Sequence, residues 1–159
     1  MTPQEFLARS QRQLAAMQRA KQASVKVGLP EGGTATSKVY ASKNGAPGIT
    51  VLQNAINHEY GTQFVVMRSF LRGPFEMKQS EIAKALDVQF NLVLESGLDI
   101  EVALGRIGLT AVNISKGAFN TAGYGTWQDI KEATKKAKGS SGILKDQLIL
   151  RNSITWAVE

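Results

Sequence analysis

His58 and Glu59 are the two neighbouring residues whose types most resemble catalytic chemistry. A zinc protease that uses this pair needs a second histidine one helical turn later, but position 62 is Thr62. His58 is the only histidine in the chain and there is no cysteine, so a zinc ion would lack an adequate set of ligands. We therefore predict no catalytic and no metal-binding role for His58, and we interpret the pair as polar groups at a helix end.

Other sequence patterns that carry chemistry are also missing. The segment Gly123-Tyr124-Gly125 has no serine between its glycines, and a Ser-His-Asp triad cannot be inferred from one histidine. The glycines from Gly28 to Gly33 are not followed by the Gly-Lys-Ser/Thr of a phosphate-binding loop. The central acidic residues fit helix caps and solvent-exposed faces better than a metal cluster. The sequence therefore predicts no enzyme, no metal and no cofactor.

Positive charge is concentrated at the two ends of the sequence. The formal net charge is +6, and the centre of the chain is close to neutral. Such ends favour a polyanion or an acidic protein surface as the partner, although solvated helix faces explain the same residues equally well. The candidates for contact with DNA or an acidic partner are Arg9, Arg12, Arg19, Lys131, Lys135, Lys136 and Lys138.

Length and hydropathy predict one domain covering residues 1–159. A hydrophobic content of 43% is ordinary for a folded globular protein. No apolar run approaches the ~20 residues that cross a bilayer. The N-terminus is amphipathic from its start rather than built like a signal peptide. We expect a protein that folds in a cytoplasm and has no membrane partner.

The first predicted helix covers Pro3–Gln22, with Thr2 as its N-cap and Glu5 in its first turn. An apolar stripe at helical spacing runs along it, formed by Phe6, Leu7, Ser10, Leu14 and Met17. Such a stripe must lie on something, either the helix's own domain or a neighbouring subunit.

The remaining elements predict an α+β fold. Two long helices joined by two or three residues must be antiparallel neighbours, and the last strand is expected to pair with the first. The small antiparallel sheet, made of an N-terminal hairpin and the C-terminal strand, then packs with the long helix pair and the N-terminal helix. The predicted elements are strands at 24–29 and 37–41, helices at 49–60, 74–96, 99–120 and 127–138, and a strand over the last six or so residues.

Two details of these helices can be tested by a structure. Gly105 and Gly108 lie inside the 99–120 helix, where each costs up to ~1 kcal/mol relative to alanine. We therefore expect another backbone to pack closely there. Thr126 is the predicted N-cap of the basic helix at 127–138.

The stretch from His58 to Arg72 is predicted to be a structural corner. Gly61 can stop the preceding helix in the left-handed conformation that other residues resist. A short apolar crossing follows at Phe64-Val65-Val66, and Ser69-Phe70-Leu71 leads into the next helix. The corner therefore aims one helix relative to another.

Two blocks of sequence, taken together, carry a family resemblance. The first is Ala55-Ile56-Asn57-His58-Glu59-Tyr60-Gly61-Thr62, followed by Met67-Arg68-Ser69-Phe70-Leu71-Arg72. The second is Lys138-Gly139-Ser140-Ser141, then Leu144-Lys145-Asp146 and Leu150-Arg151-Asn152-Ser153-Ile154-Thr155-Trp156. This arrangement resembles the neck and tail-completion proteins of long-tailed bacteriophages, the minor tail or virion morphogenesis proteins of the lambda and Mu types. Met67 and Ser69 stand where that family tends to have small residues and proline. Leu148-Ile149 replaces its usual Thr-Gly, so the terminal turn is expected to have another shape and can continue a helix.

The resemblance implies a structural virion protein that forms a homo-oligomeric ring, commonly six-fold, in the neck or at the top of the tail. Its implied partners are head–tail connector, tail terminator or tail tube proteins, with genomic DNA passing through the ring. Its implied location is the virion, after assembly in the host cytoplasm. The residues expected at subunit or partner interfaces are His58, Glu59, Tyr60, Arg68, Phe70, Arg72, Arg151 and Asn152.

Two other classes of function stay open at this stage. Charge alone favours a stand-alone basic nucleic-acid-binding module. Some other oligomeric scaffold or a small enzyme is the third alternative.

Overall fold

The computed structural model describes residues 1–30, 38–40, 48–129, 136 and 148–159 of the chain. Within these residues it contains six helices and two strands, and its class is α+β, as the sequence predicts. The elements are α1 (Pro3–Gln22), β1 (Val25–Gly28), α2 (Val51–Tyr60), α3 (Arg72–Met77), α4 (Gln79–Ser96), α5 (Ile100–Asn120), α6 (Leu148–Ser153) and β2 (Thr155–Val158).

The sheet pairs the first strand with the last, which confirms the predicted pairing of the two ends of the chain. Ser24 and Glu159 exchange backbone hydrogen bonds of 2.8 and 2.9 Å just beyond the strands, so the pair is antiparallel. The predicted hairpin partner of β1 is not found among residues 38–40. Val39 instead forms an isolated antiparallel bridge with Thr50, which is the N-cap residue of α2. The ends of that predicted strand, Ser37 and Ala41, lie outside the described residues.

Residue contacts divide the chain into two compact units, each built from segments that are distant in sequence. The first unit comprises Met1–Val27, Gln79–Ala111 and Trp156–Glu159. The second comprises Gly28–Lys78 and Val112–Thr155. The prediction of a single domain over 1–159 stays a prediction.

The long helix pair forms as predicted. Gly97 ends α4 with a φ of 71°, and Asp99 Oδ1 caps α5 by accepting hydrogen bonds from the backbone nitrogens of Glu101 (2.9 Å) and Val102. Within the first unit, Arg106 Nη1 of α5 lies 3.4 Å from Gln89 Oε1 of α4. These two residues are nearly equally far along the chain from the turn, so the helices run antiparallel.

The two glycines inside α5 do receive a close neighbour, but it is a side chain and not the expected backbone. The indole of Trp156, on β2, lies against both glycines in the first unit. A Cβ added to Gly105 would meet the indole at 3.0 Å, and one added to Gly108 would meet it at 2.8 Å. Because Gly105 and Gly108 have no side chains, the Trp156 indole fits against the helix and β2 packs closely on α5.

One helix was predicted over 74–96, and that prediction is wrong because the segment forms two helices. Lys78 separates α3 from α4 with φ −109° and ψ 23°, outside the helical region. Its backbone nitrogen still donates to Pro74 O at 2.9 Å. The apolar spacing passes through Lys78 without a change, so periodicity alone gave no sign of the break.

The predicted basic helix at 127–138 is only partly covered by the described residues. Trp127 to Asp129 are not helical, so the helix does not begin at Trp127. Thr126 does not cap it there: its hydroxyl donates to Gly123 O at 2.6 Å and so belongs to the turn that precedes it. Lys136 is helical, and residues 130–135 and 137–147 lie outside the described residues.

Candidate assembly surface

Glu59, at the end of α2, is a buried carboxylate that accepts four hydrogen bonds from the start of α3. Its Oε1 accepts from Ser69 Oγ (2.7 Å) and from Arg72 N (3.0 Å). Its Oε2 accepts from Phe70 N (2.8 Å) and Leu71 N (3.1 Å). Leu71 is the N-cap of α3 and makes no capping bond of its own. The carboxylate of one helix therefore satisfies the free donors at the start of the next, and its charge suits that helix end.

Ser69 and Gly61 complete the turn around this carboxylate. The Ser69 hydroxyl donates to Glu59 and accepts from Gly73 N at 2.7 Å, so it links the carboxylate to the first turn of α3. Gly61 ends α2 with φ 74° and ψ 164°. Its positive φ confirms the predicted helix stop and lets the chain turn back toward α3.

A row of aromatic side chains packs against the residues that lead from the crossing into α3. Phe70 is 1% exposed, and its ring lies 5.4 Å from that of Phe119, which in turn meets Trp127 edge-on at 5.6 Å. Trp127 Nε1 donates to Ser69 O at 3.0 Å, and Ser115 Oγ donates to Phe70 O at 2.7 Å. Burial of such an aromatic ring is worth about 1.5–3 kcal/mol, so the crossing is held by packing as well as by hydrogen bonds.

Arg68 lies between the crossing and α3, and it is 8% exposed. Its backbone nitrogen donates to His58 O at 2.7 Å, and its Nη2 donates to Gln128 O at 3.3 Å. Its Nε is buried and has no hydrogen-bond partner among the described residues. Burial lowers the pKa of the Arg68 guanidinium, and the negative charge of Asp129 partly opposes this shift. Arg68 therefore holds the segment after α5 beside the residues that lead into α3. Removing its charge from water costs desolvation free energy.

Sequence reasoning identified a loop after α5 but missed its unusual backbone. Four consecutive residues have a positive φ: Ala122 (50°), Gly123 (66°), Tyr124 (56°) and Gly125 (85°). This conformation costs roughly 1–2 kcal/mol for each residue that is not glycine. Tyr124 offsets part of that cost because its hydroxyl donates to Ile114 O at 2.8 Å. The turn brings Trp127 back against Gly123, where no Cβ would fit.

A tight turn within the crossing holds an aromatic side chain out in solvent. Thr62 Oγ1 accepts from Phe64 N (3.1 Å) and Val65 N (2.9 Å), while Thr62 N donates to Val65 O (2.8 Å). Phe64 is 87% exposed, the highest exposure among the large apolar side chains that the structure describes. Because these hydrogen bonds fix the backbone of the turn, the exposed Phe64 side chain projects from an ordered segment.

Phe64 belongs to a larger exposed apolar area, which we call the corner surface. It consists of Leu52, Ile56, Tyr60, Phe64, Val66 and Met67, each between 41% and 87% exposed. Arg72 supplies a positive charge at this surface. Its guanidinium lies 5.6 Å from the centre of the Tyr60 ring, and its Nη2 lies 3.9 Å from Met67 Sδ. Exposed apolar side chains that group on one part of a folded protein mark candidate interaction sites.

The residues predicted at interfaces fall into three groups by exposure. Tyr60, Arg72 and Asn152 are exposed, His58 and Arg151 are half-buried, and Glu59, Arg68 and Phe70 are buried. The three buried residues are covered within their own chain, so any role they have in an interface is to hold the exposed ones in place. Arg151 and Asn152 lie in α6, which packs against α2 in the second unit.

The basic residues predicted to meet DNA or an acidic partner also differ in their surroundings. Arg9 and Arg12 are exposed, and Arg12 Nε lies 3.4 Å from the carbonyl oxygen of Ala8 in its own helix. Arg19 forms a salt bridge of 2.6 Å with Glu101 within the first unit. Lys136 is exposed, whereas Lys131, Lys135 and Lys138 lie outside the described residues.

The N-terminal helix leaves its predicted apolar stripe uncovered. α1 has the predicted bounds and a capping box between Thr2 and Glu5, but none of its residues is buried. It contacts α4 through its smaller and polar side, where Gln13 Nε2 donates to Leu94 O at 2.6 Å. The large side chains of the stripe are 50–60% exposed: Phe6, Leu7, Leu14 and Met17, which we call the α1 stripe.

The described residues contain no group of three His, Cys, Asp or Glu residues that could hold a metal ion. No described helix is both long and apolar enough to cross a membrane. The fold and the site thus define an α+β protein with an ordered, solvent-facing apolar corner and an N-terminal helix whose apolar stripe is exposed. No protein-family model, curated protein or solved structure matches this chain.

Proposed function

We propose that this chain is a structural subunit of a tailed-bacteriophage virion. It assembles into a ring in the neck or at the top of the tail, completes the tail and joins it to the head. The sequence resemblance supplies the class of particle. The observation that carries the proposal is the corner surface, with Phe64 held 87% exposed on a hydrogen-bonded turn.

An exposed aromatic side chain is suited to binding when its backbone is already ordered. Binding then does not have to fix a mobile loop, which would cost affinity. Aromatic and arginine side chains also dominate the energetics of protein interfaces. Phe64 and Tyr60 beside Arg72 provide this combination.

The two sequence blocks that carry the resemblance meet in three dimensions. α2, in the first block, packs against α6, in the second, although the two are far apart in sequence. Leu150 and Ile154 of the second block are 2% and 1% exposed within the second unit. The parts of the two blocks that form α2 and α6 therefore lie together, which agrees with a shared architectural role.

A ring needs two different surfaces on each subunit, because one face must bind the other face of the next copy. The corner surface and the α1 stripe are two distinct exposed apolar areas on one chain. Together they supply what head-to-tail association requires.

The first test is the mass of the purified protein, measured by size-exclusion chromatography with light scattering, and its shape in electron micrographs. We expect closed rings whose mass is a whole multiple of 17.2 kDa. A monomer that binds DNA tightly and with a strong dependence on salt would refute the ring and favour the nucleic-acid module.

The second test is rescue of a phage that lacks this gene. Phe64→Glu should fold but yield heads without attached tails, whereas Val88→Glu should rescue assembly because Val88, 46% exposed on α4, lies outside both surfaces. Phe70→Ala is unsuitable because Phe70 is buried, so that change would test folding. Full rescue by Phe64→Glu would count against the proposal.

A further inference from the structure

We infer that the α1 stripe of one copy binds the corner surface of the next copy. This contact rests on the proposed ring and specifies which two surfaces form it. The proposed function does not require it, since a ring could close through other surfaces.

The spacing of the side chains on the two surfaces is compatible. Leu7, Leu14 and Met17 of the α1 stripe lie at helical intervals and span ~15 Å at 1.5 Å per residue. On the corner surface, Leu52, Ile56 and Tyr60 follow one another every four residues along α2 and span ~12 Å. An amphipathic helix that docks by such anchors is a common mode of recognition.

The charges of α1 allow this contact despite the helix being basic. Arg19 is held by Glu101. Arg9 and Arg12 line a cavity of about 180 Å³ with the end of α4, which places them on the side of α1 that faces its own unit. Along its free edge the stripe is followed by Gln11 and Gln18, both uncharged and exposed, while the exposed cation Lys21 lies on the stripe's own face one turn beyond Met17.

Arg72 places a cation on the corner surface, beside Tyr60 and Met67. A basic rim on the α1 stripe would be repelled by that cation, and the glutamine edge avoids this repulsion. The stripe carries Lys21 at its C-terminal end only, so contact with the corner surface is favoured through the Leu7-to-Met17 part of the stripe and disfavoured through the arginine-bearing side of α1.

The exposed area favours pairing the two surfaces with each other. Ten large side chains at about 100 Å² each offer on the order of 1,000 Å² in total, the lower range for a specific interface. Pairing α1 with α1 would cover the stripe but leave the corner surface of every copy exposed. Pairing the stripe with the corner covers both surfaces through one type of contact, and this contact can be repeated around a ring.

Because the chain contains no cysteine, engineered cysteine pairs test this contact against an empty background. The variant Leu14→Cys/Ile56→Cys would be oxidised under mild conditions and run on a denaturing, non-reducing gel. We expect a ladder of bands at successive multiples of 17.2 kDa that collapses to one band on reduction. The matched control Leu14→Cys/Val88→Cys should give no ladder.

The other outcomes would overturn the contact. Dimers formed by Leu14→Cys alone would show that α1 pairs with α1. Dimers from Ile56→Cys alone would show that the corner pairs with itself, and a crosslinked monomer would show that the bond forms within one chain. Rings seen without a ladder would refute this contact and leave the ring intact. A monomeric mass at every concentration, also without a ladder, would refute the ring as well.

Discussion

Replacing Glu59 with glutamine tests the central role of this carboxylate while preserving its size. In the less costly orientation, the amide oxygen takes the place of Oε2 and keeps the bonds from Phe70 N and Leu71 N. The amide nitrogen then takes the place of Oε1. The Ser69 hydroxyl can accept a hydrogen bond from this nitrogen but loses the acceptor of its own hydrogen, and Arg72 N loses its acceptor and faces another donor.

The expected cost of Glu59→Gln follows from this accounting. Arg72 N, in a partly buried position, loses its partner, which costs about 1–3 kcal/mol. The half-buried Ser69 hydroxyl also loses its acceptor but can rotate toward solvent. The favourable charge at the start of α3 is removed, which costs ~0.3–1 kcal/mol. We expect a loss of about 3 kcal/mol in the free energy of unfolding, near the middle of the two ranges added together. Glu59→Ala should cost more, about 3–5 kcal/mol, because it removes all four acceptor contacts and leaves a cavity.

Urea unfolding followed by circular dichroism measures the stability change, and amide hydrogen exchange locates it. With Glu59→Gln, the amide of Arg72 should lose more protection than those of Phe70 and Leu71. The control is Glu76→Gln, which removes the same charge from an exposed residue of α3 and should change stability by less than about 0.5 kcal/mol. If Glu59→Gln behaved like Glu76→Gln, the carboxylate would not be what holds the corner together.

Three further changes test other parts of the structure, each by the free energy of unfolding. Gly123→Ala should cost about 2–3 kcal/mol because its φ is positive and its Cβ would overlap Trp127. Gly125→Ala, which has a positive φ but open space around it, should cost only about 1 kcal/mol. Equal costs would contradict the close contact between Gly123 and Trp127. Gly108→Ala should cost about 1–3 kcal/mol in the native protein but little in a Trp156→Ala background, because its Cβ would overlap the Trp156 indole. If the two changes were strictly additive in this double-mutant cycle, the indole would not be what excludes a side chain at Gly108. Arg68→Met should change stability by no more than about 1 kcal/mol, because it removes a buried charge along with one long hydrogen bond; a loss above about 3 kcal/mol would mean that the guanidinium is a stabilising element.

The structure also changes how the interface should be tested. His58, Glu59 and Phe70 were grouped with Tyr60 and Arg72 because all five belong to the sequence block that carries the family resemblance. Position in the sequence does not tell which residues of the corner are buried to hold it together and which are exposed for binding. The fold does, since it buries Glu59 and Phe70 and leaves Tyr60 and Arg72 exposed.

Local chemistry in the sequence was enough to determine several element boundaries. Thr2 and Glu5 satisfy the first turn of α1 between themselves, and Asp99 caps α5 in the same way. Gly61 and Gly97 end helices because glycine adopts a positive φ without steric cost. These features depend on residues three or four positions apart, so sequence alone could identify them. The pairing of the terminal strands was also predictable, from their alternating pattern.

Tertiary structure decided the features that depend on residues far apart in the chain. The sequence offered Glu59 as a helix-end acid, but only the return of the chain at Gly61 places it over the backbone nitrogens of Phe70 to Arg72. Periodicity located the apolar stripe of α1 but could not say whether it faces inward, since α1 contacts α4 through its smaller side. Capping and glycine stops act within a few residues, whereas burial depends on which distant segment arrives. For that reason the corner could be located from the sequence, while the surface it displays to solvent could not.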